Sequence, residues 1–91
     1  MATERKTVPI TWHADGRITA AGDTDVLMAN TSDKTVYFAI TDDDTAPLFH
    51  IAYGHPIRPG EPWSLTLADG KRLWRATRAE GVVITETVEA A

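Results

Sequence analysis

Residues 41–56, TDDDTAPLFHIAYGHP, set three consecutive carboxylates near two imidazoles, the side chains from which divalent-cation sites are built. Calcium comes first, because hard cations take oxygen ligands. A helix–loop–helix calcium loop needs oxygens at alternate positions and glycine at the sixth. Counted from Asp42, the fifth and sixth residues are Ala46 and Pro47, so that pattern fails. A looser site stays open if Asp42 and Asp44 meet Asp23 or Asp25 from a neighbouring loop. The competing reading, and the favoured one, is a solvated turn whose aspartates accept hydrogen bonds from nearby backbone amides. No metal and no other cofactor is assigned.

Zinc has less to stand on. His50 and His55 fall on opposite faces of an extended chain, Pro56 restrains His55, and His13 is the remaining imidazole. The chain has no cysteine, which excludes disulfides, thiolate zinc sites and a cysteine nucleophile and leaves the redox compartment undetermined. Ser32 lies in a turn and Ser64 inside an expected strand, and neither sits in a glycine-flanked elbow. The glycines are scattered one to a turn, so no loop cradles a phosphate. The expectation is a protein that is not an enzyme.

The elements that would position these residues read as strands. Apolar residues recur at every second position in short runs, the mark of strands with one buried face. TVPITWH puts Val8, Ile10 and Trp12 on one side, with Pro9 favouring a sheet edge. Asp15-Gly16 and Gly22-Asp23 are turns around a short extended piece at Ile18. DVLMAN and TVYFAIT, joined by the polar turn TSDK, read as a hairpin. Residues 42–61 hold prolines 47, 56 and 59 and glycines 54 and 60, which suggests a crossing between sheets, with LFHIAY adding a short strand. WSLTLA places Trp63, Leu65 and Leu67 on one face, and Asp69-Gly70 signals a two-residue hairpin turn into KRLWRATR. EGVVITETV is the last strand. The fold class is therefore all-β: a single small β-sandwich, immunoglobulin-like or jelly-roll-like, of six to eight antiparallel strands. It spans residues 7–88, between a polar arm at 1–6 and a tail at 89–91.

A chain of 91 residues, 43% of them hydrophobic, supports one core. Its net charge of −4 disfavours nucleic acid, whose phosphates reward surplus lysine and arginine. No stretch approaches the roughly 20 apolar residues of a membrane span, and MATERK leads into TVPITW without the apolar core of a secretion signal. The expectation is a soluble chain with no membrane partner.

Three tryptophans are many for so short a chain, and a small sandwich buries one or two. Leu73 and Trp74 are strand neighbours and point to opposite faces. If Leu73 is core, Trp74 is at least partly outside, on a face shared with Arg72 and Arg78; the opposite assignment fits the pattern equally. Tryptophan and arginine are enriched at protein interfaces. Arg72, Trp74 and Arg78, with Trp12 and Tyr37, are the candidate partner-binding residues. A tryptophan platform also suits a sugar ring, which makes a carbohydrate-binding module the alternative. Stacking on single-stranded nucleic acid is opposed by the acidic balance.

The segments VLMANTSDKTVYFAITDDDTAP, HPIRPGEPWSLTLADGKRLWRAT and VVITET, in that order, cover some two-thirds of the chain. They resemble the small β-sandwich virion proteins of tailed bacteriophages and related gene-transfer particles: head-decoration, head-fibre and tail-tip accessory modules. The resemblance implies a non-enzymatic structural role in the virion, made in the host cytoplasm, with capsid or tail subunits as partners and a homo-oligomeric state. It carries over no binding site residue by residue. MATERKTVPI would have to supply any arm that reaches a neighbour.

Overall fold

The computed structural model describes residues 3–91. Its strands are β1 (Thr3–Thr7), β2 (Arg17–Thr19), β3 (Thr24–Asn30), β4 (Val36–Thr41), β5 (His55–Ile57), β6 (Pro62–Leu67), β7 (Arg72–Thr77) and β8 (Val83–Ala90). Single 3-10 turns, Ala14–Gly16 and Ile51–Tyr53, precede β2 and β5. Two four-stranded sheets form, ordered β1-β8-β3-β6 and β2-β7-β4-β5, with every pairing antiparallel.

The pairs β1–β8, β2–β7, β3–β6 and β4–β5 are the rungs of one long antiparallel ribbon, doubled back at its middle and wound around a core. Of the two sandwiches the sequence allows, this is the jelly roll. Val26, Met28, Leu67 and Ile84 from one sheet meet Val36, Phe38, Ile57 and Leu73 from the other, and Val8, Ala20 and Val82 close the ends.

The winding reverses two local expectations. DVLMAN and TVYFAIT are β3 and β4, and they do not pair: the turn between them crosses from one sheet to the other. So does the turn at Asp69-Gly70 between β6 and β7. Residues 42–61 do cross between sheets, as expected, but only at their end: 42–54 join β4 to β5 within one sheet, and 58–61 carry the chain over to β6. Turn residues reverse the chain but do not choose its partner; side-chain ties do. Asn30, fully buried, donates from Nδ2 to Lys34 O at 2.6 Å and to Ile57 O at 2.8 Å, and accepts at Oδ1 from Ser32 N at 3.0 Å and Ser32 Oγ at 2.7 Å. These bonds bend the 31–34 turn toward the opposite sheet. Similarly, Asp69 Oδ1 accepts from Gly22 N at 2.7 Å and Asp23 Oδ1 from Asp69 N at 2.9 Å. The β6–β7 turn is thereby fastened to the β2–β3 turn.

The ends also differ from expectation. Within the expected arm at 1–6, Met1 and Ala2 lie outside the described residues, but Thr3–Thr7 is a strand running along β8 from Thr3↔Thr87 to Thr7↔Val83. TERKT buries no apolar side chain, so periodicity does not reveal it. Val8 is buried, and Ile10 and Trp12 do not continue its face, because the chain leaves the sheet after Thr7. At the other end β8 runs through Ala90, and Ala91 N bonds Asp23 O at 3.0 Å, so the expected tail belongs to the sheet.

Candidate functional site

The two sheets are finished differently on their outer sides. On β7, Leu73 points into the sandwich and Trp74 away from it, as alternation requires, yet Trp74 is only 3% exposed. The expectation that Trp74 lies partly outside, available to a partner, is corrected here. The turns that lead into β2 and β5 lie beside the neighbouring strands, Ala14–Gly16 along β7 and Ile51–Tyr53 along β4. Ala39 and Ala76, also directed outward, are buried too. Gly16 permits the close approach, since a Cβ there would run into Arg75 O and the Pro9 ring.

Trp74 Nε1 donates to Thr41 Oγ1 at 2.7 Å, and the Arg17 guanidinium lies 5.2 Å from its ring centroid. Arg72 Nε donates to Asp44 Oδ1 at 2.8 Å, and Arg17 Nη1 lies 3.5 Å from the same oxygen. Asp42 pairs with Lys71. Hydrogen bonding and charge attraction from Lys71 hold the Asp42 carboxyl below its ordinary value of 3.8. Asp43 Oδ1 accepts from Thr45 N at 2.9 Å. TDDD thus works as an acidic clamp on Arg17, Lys71 and Arg72, with Asp43 closing its own turn. Asp25 Oδ1 accepts from Thr66 Oγ1 at 2.7 Å, on a separate face. Among the described residues no group of three or more metal-ligating side chains converges.

The histidines serve separate local ends. His13 Nδ1 accepts from Asp15 N at 3.0 Å, and His50 Nδ1 from Ala52 N at 3.1 Å, so each caps one of the 3-10 turns. His55 lies 5.1 Å from Phe38, ring centroid to centroid.

Of the remaining candidates, Arg78 is exposed past the end of β7, and Tyr37 is half-buried on the outer side of β4, opposite Ala76 and Pro56. Trp12 is half-buried and acts as a strut. Its Nε1 donates to Phe49 O at 3.0 Å, its ring meets Phe49 edge-on at 6.0 Å, and its far edge reaches Gly54. It ties the β4–β5 connection to the β1–β2 connection.

That connection carries what periodicity missed. Leu48 is 96% exposed, Tyr53 81% and Phe49 45%, within six residues that also hold His50, whose ring lies 6.5 Å from that of Tyr53. LFHIAY, an apolar run among prolines, reads from the sequence as a short strand, whereas it forms a bend and the Ile51–Tyr53 3-10 turn. A shallow concavity of about 510 Å³ lies elsewhere, on the outer side of β3, β6 and β8, bordered by Asp25, Leu27, Ser64, Thr66, Thr87 and Glu89.

Fold and surface define a small jelly-roll domain that presents an aromatic connection on a rigid support. Comparison with known protein families, with curated proteins and with solved structures returns no match.

Proposed function

We propose that this domain is a non-enzymatic assembly module, an accessory structural protein of a tailed-phage virion, which packs against capsid or tail subunits through its β4–β5 connection. The observation that carries the reading is the exposure of Leu48, Phe49 and Tyr53 on one connection that Trp12 holds in place. Large apolar side chains gathered on a braced surface are characteristic of interfaces. The jelly roll is a fold that capsid domains and lectins both use, which is consistent by analogy. Binding would order little further, because the connection is already tied down by Trp12, Gly54 and the His50 cap.

The test is cosedimentation with particles purified from the source. The wild-type chain should travel with the particles, and Leu48→Ala with Tyr53→Ala should release it while leaving the melting temperature within about 2 °C. Absence of the wild-type chain from the particles would overturn the reading. A sugar ligand is the second reading, favoured by Trp63, 41% exposed on β6. Oligosaccharide titration followed by tryptophan fluorescence separates the two.

A further inference from the structure

Four strands form the borders of the two sheets, and three carry features that discourage a further strand. On β1, Glu4 and Lys6, 3.4 Å apart, sit opposite Glu86 and Ile84 and so point inward, with Arg5 between them. β2 has three residues. β5 has three, and its middle one is Pro56, which has no amide hydrogen. β6 differs. It runs six residues, carries no charge, and pairs one-to-one with β3 from Ala29↔Pro62 to Thr24↔Leu67, so no bulge turns it away.

Its free peptide groups follow from the ladder. Asn30 N donates to Glu61 O at 3.0 Å and Asn30 O accepts from Gly60 N at 2.8 Å, while Asp23 O accepts from Ala91 N at 3.0 Å. Successive residues of a strand turn their peptide groups to alternate sides. Even-numbered residues of β3 therefore bond to β6 and odd-numbered ones to β8. Their partners on β6 are Trp63, Leu65 and Leu67. The N–H and C=O of Ser64 and Thr66, with the Pro62 carbonyl, point out of the sheet.

We propose that β6 is the docking edge for a second copy of this chain, paired antiparallel about a twofold axis so that two four-stranded sheets join into one of eight. The choice of occupant rests on two observations. With β6 the one open border among the described residues, a copy meets only its like, and the contact closes at two with no edge left to extend a fibre. The strand itself is neutral, so two chains of net charge −4 meet where neither presents a charge. A twofold axis at Leu65 would oppose Glu61 to Asp69 of the other copy. An axis at Ser64 avoids this and sets the exposed Trp63 against Leu65 of the second copy. This site is separate from the aromatic connection, so Tyr53→Ala should leave the dimer intact whatever becomes of particle binding.

Sedimentation velocity of the full chain should show a monomer–dimer equilibrium. Ser64→Pro removes one outward amide from each copy and none from the β3 ladder, and should weaken the dimer about thirtyfold. Because the chain has no cysteine, Ser64→Cys can form only an intermolecular disulfide. Directly bonded antiparallel partners lie about 5.5 Å apart at Cα, within disulfide reach. Mild oxidation should give a covalent dimer from Ser64→Cys and far less from Thr19→Cys, on β2. A wild-type monomer up to about millimolar concentration would overturn the proposal. So would a dimer that Ser64→Pro leaves unchanged, or equal crosslinking at both positions.

Discussion

Arg75 and Glu86 reach each other from opposite sheets: Nη1 lies 2.6 Å from Oε1, with the side chains 4% and 5% exposed. Arg75 Nε also donates to Gly16 O at 3.1 Å, so one guanidinium joins β7, β8 and the turn before β2. Removing one partner strands a buried charge. Glu86→Gln or Arg75→Met should each cost about 3–5 kcal/mol in urea denaturation, whereas Arg75→Met with Glu86→Leu should recover most of that loss. A double variant as unstable as the singles would show that the pair holds the sheets by more than charge compensation.

Trp74 gives a second measurement, because its burial places it in the support and not on the partner surface. Trp74→Ala should lower stability by about 3–5 kcal/mol, with loss of the Thr41 hydrogen bond and of the Arg17 contact. At a temperature where the variant remains folded, particle binding should be unchanged.

Asn30 is expected to matter more than its size suggests. Asn30→Ala leaves the Lys34 and Ile57 carbonyls and the Ser32 amide without their partner, at a cost of about 2–4 kcal/mol. Hydrogen exchange should quicken at the 31–34 turn and around β5 before it does in β7.

The acid response of the Asp42–Lys71 pair has a defined sign. A carboxyl whose folded pKa lies below 3.8 contributes stability that is present above its unfolded value and disappears as pH falls through the folded value. Melting temperatures of wild type and Asp42→Asn should therefore differ at neutral pH and converge as the pH falls below 3.8 and through the folded value. High salt should narrow the difference, because the pair is solvent-exposed. A gap that persisted at low pH would mean that Asp42 acts through its backbone geometry.

Strand identity was legible wherever one face is apolar. Val26 and Met28, Val36 and Phe38, Leu65 and Leu67, and Ile84 all mark their strands through alternation, and the all-β sandwich follows from them. Partnership was not legible. Asp69-Gly70 carries the local chemistry of a hairpin, but the bonds that decide its geometry come from Gly22 and Asp23, far away in sequence. β1 stayed hidden because it is held through its backbone and the Thr3–Thr87 hydroxyl contact, without an apolar face. Trp74 misled for another reason: alternation tells which side of a sheet a residue takes, and only the tertiary fold tells whether that side is wet. The exposed set on the β4–β5 connection depends on the Trp12 strut, a contact no local window contains.

The wound ribbon bears on how the chain reaches its native state. Its innermost rung joins two consecutive strands, β4 and β5, closing at Phe38↔His55, and its outermost, Thr3↔Thr87, joins the two ends. Measured from the unfolded chain, the outer rung is a costly closure. Measured after the rungs inside it have formed, each closure spans only the connection on either side, the longest being residues 8–16 between β1 and β2. Folding is thus expected to run outward from β4–β5, with pulsed hydrogen exchange protecting Phe38, bonded to β5, before Met28, bonded to β6, and Met28 before Lys6, bonded to β8. A topology dominated by distant contacts then becomes a succession of near ones, and the border left open at β6 is shut on its inner side before β1 arrives.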